Sequence, residues 1–380
     1  MIPAWGGNDY YACRELARRG HEVTLFTSDL GPGRYYTTWY WNLNRFGEHE
    51  ETVDGFKVVR SKALANLGGD MPLTPNLLLE MRHIEADVIH AHEFYNLTSL
   101  AAYMTAARKR VPFTYTQERY YPVKRGGWRT PYSVADRVVM SRVRKYPKYT
   151  TAFSTAAKEF LAGLGYPEER IEVIPMGVDT KTFNPKTLPS LRAKLGLGSE
   201  PLILSLARLH PSKGLTNLIK AMRKVADEVR GAKLAVVGRG PEERMLKTQV
   251  NSLGLQSSVS VITEHIMHRE MPGVYASCEV FVLPSIYEPF GSAAVEAMAT
   301  GKPVVATRVG GLRDIVVHER TGFHLNPGDS NSLSDRLVTL LQDDGLRKRM
   351  GSEARRRAVE VYDWSVVAEQ YEALYRKLLE

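Results

Sequence analysis

Apolar and polar positions follow one another along this chain in two rhythms. Short, nearly unbroken apolar runs (HEVTLFTS, FKVVR, DVIHA, PFTYTQ, PLILSLARL, KLAVV, SVSVI, EVFVLPS and PVVAT) recur from end to end. Such runs suit strands of a parallel sheet covered on both faces. Between them lie stretches whose apolar positions recur at helical spacing, among them NDYYACRELARR closed by Gly20, TPNLLLEMRHI, and LTNLIKAMRKVADEV. Ser292 to Thr300 has helical composition, with Gly301 placed to stop it. Two further helical stretches are expected from Ser330 to Val361. In the last helix Asp363 is the expected N-cap and Val367, Tyr371, Leu374 and Leu378 form the apolar stripe. RDIVVHERTGFHL reads as a solvent-facing helix and turn. Strands alternating with helices predict an α/β protein built on parallel, doubly wound sheet.

The most informative stretch is residues 279–311, EVFVLPSIYEPFGSAAVEAMATGKPVVATRVGG, which reads as strand, loop, helix, strand and glycine turn. Doubly wound sheets bind ligands in the crevice outside the carboxyl ends of their strands. That rule sets Tyr287-Glu288-Pro289-Phe290-Gly291 beside Gly310-Gly311 at a binding mouth. A carboxylate at Glu288 can accept hydrogen bonds from hydroxyl groups. The backbone N–H groups of Phe290 and Gly291 open a helix whose positive end favours an anion. Directly after PLILSLARL come Arg208 and Lys213-Gly214, cations placed for a diphosphate, one by a bidentate fork and one as a point charge. Gly238-x-Gly240-Pro241 also follows a strand, but it lacks the third glycine of a dinucleotide site.

In the first half, Gly6-Gly7 leads into a helix N-terminus, an anion- or sugar-binding element. Such a loop should follow the first strand of its unit. Only Met1 to Trp5 precede it, so that strand is expected to be missing or truncated. Asp87 to Ala91 is the expected strand that delivers His92 to a cleft, with His90 left against the core. Glu93 and Gln117, at the ends of neighbouring strands, are weaker candidates for acceptor contacts. Asp136 to Tyr146 suits a basic helix, and Asn184 to Glu200, with Pro185, Pro189 and Pro201, suits a linker.

Composition narrows the classes. The 380 residues allow two domains, carry no low-complexity tract, and hold no apolar run able to span a bilayer. Cys13 and Cys278 are the only cysteines, which excludes a disulfide framework and a cysteine-based zinc site and fits a reducing cytosol. Asn96-Leu97-Thr98 matches a glycosylation sequon that a cytosolic protein would not use. The net charge is +9, and between Arg108 and Lys148 twelve Lys and Arg face only Glu118 and Asp136. That local excess accounts for the whole surplus. It fits an anionic lipid surface, a nucleic acid, a phosphorylated acceptor or a solvated basic face. Residues 33–46 are dense in aromatics without a period, as in a loop or hairpin at a domain edge or in an acceptor or membrane contact.

Glu288 and Glu296 stand eight residues apart around PFG, followed by EAMATGKPVVAT and VGG. The string resembles the E-x7-E signature of the retaining glycosyltransferases of family 4. The resemblance implies the GT-B fold, with two Rossmann-like doubly wound domains facing across a cleft and a C-terminal helix crossing back to the first. Residues 1–184 with 363–380 would form the acceptor-side domain and 185–362 the nucleotide-sugar domain. It further implies that His92 meets the donor sugar and acceptor, that Arg208 and Lys213 stabilise the departing nucleoside diphosphate, and that Glu288 holds the sugar. Glu296 would clasp the ribose, while Gly6, Gly7, Phe290, Gly291, Gly310 and Gly311 would line the donor site. Met176 stands where family members usually have asparagine, so no polar contact is assigned there, and Thr263-Glu264-His265 stand where a glycine is frequent, so base recognition can differ. The implied partners are a nucleoside-diphosphate sugar, a sugar, lipid-linked or other hydroxyl acceptor, and an anionic membrane surface through 108–148. No metal, other cofactor or nucleic acid is expected. The expected location is cytoplasmic, peripheral to a membrane. The competing classes are a nucleotide- or sugar-binding module without turnover on the same fold, and a basic nucleic-acid binder.

Overall fold

A computed structural model describes residues 8–29, 47, 49–66, 72–94, 96–118, 120 and 141–380. The expected missing first strand, Gly6 and Gly7, the aromatic stretch 33–46 and most of the basic segment lie outside the described residues. The chain divides into two compact units. One holds the described residues up to Met176 together with Ser365–Glu380, and the other is Gly177–Trp364.

In the first unit, β1 (Thr24–Ser28), β2 (His49–Val53) and β3 (Phe56–Ser61) form a sheet of order β1-β3-β2. β1 and β3 are parallel, and β2 is antiparallel to β3. A small antiparallel pair joins β4 (Ala65–Asn66) to β5 (Pro72–Leu73). β6 (Ile89–His92), β7 (Phe113–Gln117), β8 (Thr150–Ala152) and β9 (Ile171–Val173) form a separate, wholly parallel sheet in that order. Its core is Ile89, Phe113 and Tyr115 packed on Ala102 and Ala106 of the helix Leu97–Lys109 and on Phe160 and Leu161 of the helix Thr155–Gly163.

The helix Trp364–Leu379 belongs to this unit over most of its length. Its expected stripe is the buried one, with Val367, Tyr371, Leu374 and Leu378 all out of solvent. Tyr371 and Tyr375 pack edge-on against His90. Glu372 receives Arg19 Nε at 2.8 Å and contacts His21 Nε2 at 2.8 Å.

The second unit is a six-stranded parallel sheet of β10 (Leu202–Leu206), β11 (Lys233–Val237), β12 (Val259–Ile262), β13 (Val280–Leu283), β14 (Val304–Thr307) and β15 (Gly322–Leu325). The order is β12-β11-β10-β13-β14-β15. Consecutive strands run outward on one side from β10, then outward on the other from β13, so the order reverses between those two. The helices Leu215–Glu228 and Ser330–Gln342 cover one face through Leu218, Met222, Leu337 and Leu340.

Three expectations change. β15 falls inside RDIVVHERTGFHL, which is not a solvent-facing helix and turn. Its only helix is Leu312–Ile315, and Leu312, Ile315 and Phe323 are buried because the segment closes the sheet edge. The stretch Asn184–Glu200 is packed rather than a free linker. Leu191 is buried, with its N–H donated to Ser277 Oγ at 2.9 Å. The units divide earlier, at Met176/Gly177, where Val178 N–H donates to the Tyr362 carbonyl at 2.7 Å. Gly177 lies against the indole there, since a Cβ would stand 2.3 Å from Trp364 Cδ2. Of the expected basic helix, the described part is Ser141–Lys145.

Leu374→Ala removes a fully buried side chain from the returning helix and should destabilise the first unit by about 3 kcal/mol. Hydrogen exchange under rising urea should show earlier exposure of β6–β9 amides while β10–β15 remain protected; equal loss in both units would contradict this assignment of the helix.

Candidate active site

The carboxyl ends of β10 and β13 stand side by side where the strand order reverses, and each opens into a functional loop. After β10 the chain passes Arg208 and a single 3-10 turn, Pro211–Lys213, to Gly214. Gly214 has φ 63°, and a Cβ there would lie 2.1 Å from the Pro284 carbonyl oxygen. The two loops therefore touch only because this residue has no side chain. They are also stitched by backbone, as the N–H groups of Ile286 and Tyr287 donate to the Ser212 carbonyl at 2.8 and 3.1 Å.

That contact brings Lys213 onto Glu288. Lys213 Nζ donates to Glu288 Oε2 at 2.7 Å, with the two side chains only 11% and 10% exposed. Ser285 Oγ donates to the same oxygen at 3.0 Å. Removed from water, such a pair holds itself together chiefly because either charge alone would be expensive there. Gly311 N–H donates to the Glu288 carbonyl at 3.2 Å. A Cβ on Gly311 would sit 2.5 Å from the Phe290 backbone, which explains the second glycine of the turn after β14.

Gly291, at φ 115°, is the N-cap of the helix Ser292–Ala299, and Gly301, at φ 76°, follows its C-cap Thr300. The Phe290 ring is buried and meets Tyr362 edge-on, so only its backbone is available to a ligand. Glu296 lies on the helix and accepts from the buried Tyr275 hydroxyl at 2.6 Å. Burial raises its carboxyl to about 7, with the tyrosine bond pulling the other way. Arg208 is exposed. Its loop is held by the turn after β11, where Leu209 N–H donates to the Arg239 carbonyl at 2.8 Å and Glu242 N–H to the Leu209 carbonyl at 3.0 Å. The Gly238-x-Gly240 turn thus supports the Arg208 loop.

The first unit holds the remaining candidates. β6 ends at His92, and Glu93 turns the chain with φ 62° while donating its N–H to the Thr116 carbonyl at 2.8 Å. Glu93 and Gln117 are brought together but turned inward. Both are buried, and Gln117 Nε2 donates to Glu93 Oε2 at 2.7 Å. Asn96 of the sequon is a structural cap: Oδ1 accepts from Ser99 N at 2.6 Å and Nδ2 donates to the His92 carbonyl at 2.7 Å.

The expected contrast between a core His90 and a cleft His92 is corrected. Residues two apart on a strand share a face, and the imidazoles stack with centroids 5.3 Å apart. His90 contacts Tyr375 Oη at 2.8 Å and Thr116 Oγ1 at 2.7 Å, and burial, then His92, holds its pKa well below the ordinary value. His92 Nδ1 meets Glu118 Oε1 at 2.9 Å and Asp9 Oδ1 at 3.2 Å. Burial would depress its pKa, but Asp9 and the bond to Glu118 outweigh that and raise it to about 9. Neither carboxylate was singled out in the sequence. Asp9 could have been found as an acid in the first turn after Gly-Gly, and Glu118 as the residue following a strand's last position. Possible ligating atoms of the three side chains lie within 4.8 Å of one another, a grouping that positions 9, 92 and 118 do not advertise. The His92 nitrogen facing the carboxylates is a hydrogen-bond donor there, so no lone pair is presented to a cation.

Two family models together match almost the whole chain. The description "Glycosyltransferase Family 4" matches residues 10–182 and "Glycosyl transferases group 1" matches residues 189–357. The D-inositol 3-phosphate glycosyltransferase of Xylanimonas cellulosilytica is 30% identical, the match covering 92% of this chain and 87% of that one. The MMP alpha-(1->4)-mannosyltransferase of Mycolicibacterium hassiacum is 29% identical over 98% of this chain and 95% of its own. Among solved structures, HepE from Anabaena in complex with UDP superposes with a TM-score of 0.76 at 24% identity, covering 98% and 96% of the two chains. Sucrose-phosphate synthase from Thermosynechococcus elongatus gives 0.74 at 24% identity, covering 98% and 94%.

Lys213→Met strands a buried carboxylate and should destabilise the second unit by about 3 kcal/mol, most of it restored by adding Glu288→Gln; additive losses in a urea double-mutant cycle would refute the pairing. The Glu296 carboxyl holds its proton more tightly folded than unfolded. The second unit should therefore lose stability as pH rises from about 4.5 to about 7 and change no further above it. Glu296→Gln should flatten that slope, recovering about 2 kcal/mol at pH 8; an unchanged pH profile of the urea midpoint would contradict it.

Proposed function

The chain belongs to the group 1 glycosyltransferases of family 4 and is a GT-B hexosyltransferase, and from that premise we propose that it moves a sugar from a nucleoside diphosphate to an acceptor hydroxyl with retention of anomeric configuration. The observation that carries this reading is the convergence of Lys213, Glu288, Glu296 and the Gly291 helix N-terminus on the β10/β13 reversal, with Arg208 on the same loop as Lys213. Arg208 and Lys213 would take the diphosphate, so that Lys213 exchanges a carboxylate partner for a phosphate. Glu288, released, would accept hydrogen bonds from sugar hydroxyls, and Glu296 from the ribose.

Retention follows if the acceptor oxygen adds to the anomeric carbon on the face that the diphosphate leaves. The bond to the leaving oxygen breaks, and that phosphate takes the acceptor proton. No metal enters the proposed scheme, since Arg208, Lys213 and the helix N-terminus supply positive potential for the departing phosphate.

We further propose an acceptor that is lipid-linked or near a membrane, supported by the basic surplus of residues 108–148. Among the described residues no helix is long and apolar enough to cross a membrane. Within the segment, Arg142, Lys145 and Lys148 are exposed, whereas Arg144 is buried over the Phe94 ring at 5.4 Å and serves the core.

Calorimetric titration should show one of UDP, GDP or ADP binding, and Glu296→Ala should weaken it at least tenfold. With the matching donor, Arg208→Ala or Lys213→Ala should lower kcat by about a hundredfold, and the product's anomeric proton should show the donor's configuration. Binding of none of the three would favour a module without turnover. Charge reversal of Arg142, Lys145 and Lys148 should abolish sedimentation with phosphatidylserine vesicles; salt-sensitive RNA binding without vesicle binding would instead favour the nucleic-acid reading.

A further inference from the structure

His92 is the only described candidate side chain in the first unit that remains partly exposed, and its surroundings define what it can do. Asp9 comes from the first turn of the helix Asn8–Arg18, and Glu118 follows the last residue of β7. Both carboxylates meet the same ring atom, Nδ1, at 3.2 and 2.9 Å. The ring is stacked within 12° of the His90 plane, and the Phe153 ring lies 6.4 Å away. The strand end beneath it is fixed, because its carbonyl accepts from Asn96 Nδ2 at 2.7 Å and Ser99 Oγ at 3.0 Å. The imidazole is therefore oriented from both sides, and Nε2 is the nitrogen left to meet a substrate.

We propose that Asp9 and Glu118 are positioning residues for the transfer reaction, pinning His92 as an imidazolium whose Nε2–H is a fixed hydrogen-bond donor to a neutral substrate hydroxyl. The proposal rests on the transferase reading above. Burial and Glu118 raise the Asp9 carboxyl while His92 pulls it down; the carboxylate charge around the imidazolium cancels its attraction for a phosphate, which leaves the diphosphate to Arg208 and Lys213. A pinned imidazolium also cannot act as a general base, because it has no lone pair to offer. The groups facing it agree. Asp9 and Glu118 favour the charged ring, as does Glu93. His90 opposes it but is itself held neutral by burial and by His92. Cys13 of the same helix as Asp9 and Tyr371 of the returning helix are both pushed up, to about 12 for the thiol, and stay uncharged. Together these hold His92 to about 9, so it is charged throughout the neutral range.

The test uses the full chain with 15N-labelled histidine, His92 being assigned by subtraction of the His92→Asn spectrum. At pH 7.5, with no substrate present, both ring nitrogens of His92 should be protonated, and the midpoint should fall by more than one pH unit in Asp9→Asn/Glu118→Gln. With the donor identified by calorimetry, Glu118→Gln should lower kcat tenfold or more at pH 8.5 with nucleotide affinity unchanged. Relative to the unaltered protein at the same pH, that loss should shrink at pH 6, where solvent protons restore the imidazolium. A kcat loss equal at every pH, a His92 midpoint near 6.5 in the unaltered protein, or Mg2+, Mn2+ or Zn2+ binding that vanishes with each of the three substitutions would overturn the proposal. Lack of turnover in the unaltered protein would sink the transferase reading alone, since the NMR titration decides the charge state of His92 without it.

Discussion

The second unit depends on one close approach, the loop after β10 lying on the loop after β13 at the point where the strand order reverses. Gly214 makes it sterically possible, two backbone N–H groups on the Ser212 carbonyl hold it, and the Lys213–Glu288 pair closes it. A lysine ammonium and a carboxylate would each be unstable alone in so dry a place. Set against one another they keep the loops in position and keep both charges ready. The arrangement also explains why Ser285 is buried, as it satisfies the carboxylate oxygen that Lys213 shares.

Much of this was readable because the informative residues are close in sequence. The strand, loop, helix and glycine turn of 279–311 follow consecutively, so their order alone sets Glu288 on a loop and Glu296 on a helix. The parallel strands were legible for the same reason, each being a short apolar run. What escaped depends on contacts between distant positions. Tyr275 beside Glu296 and Ser285 beside Glu288 are fixed by packing, and nothing in their local sequence marks them. GFHL escaped as a strand because it is four residues long and ends a segment rich in charge, although Phe323 goes to the core.

The first unit shows the limits more plainly. Parity along a strand should have set His90 and His92 on one face, and attention to the strand's end obscured it. Glu93 and Gln117 sit where strand ends suggest contact with substrate. Yet the left-handed turn at Glu93 carries its carboxylate inward to Gln117. The acids that do reach His92 come from a helix start and a strand end far apart in the chain, and only the fold makes them neighbours.

The helix at the end of the chain has a consequence for how this protein comes into being. Val367, Tyr371, Leu374 and Leu378 complete a unit whose described residues outside Ser365–Glu380 all precede Gly177. During synthesis the whole of Gly177–Trp364 must leave the ribosome before the helix that covers His90 becomes available. The second unit can therefore fold first, while the first waits with an apolar face uncovered until that helix has been made. A chain cut short before that helix would hold an intact second unit and an unfinished first one, with the uncovered apolar face that chaperones bind.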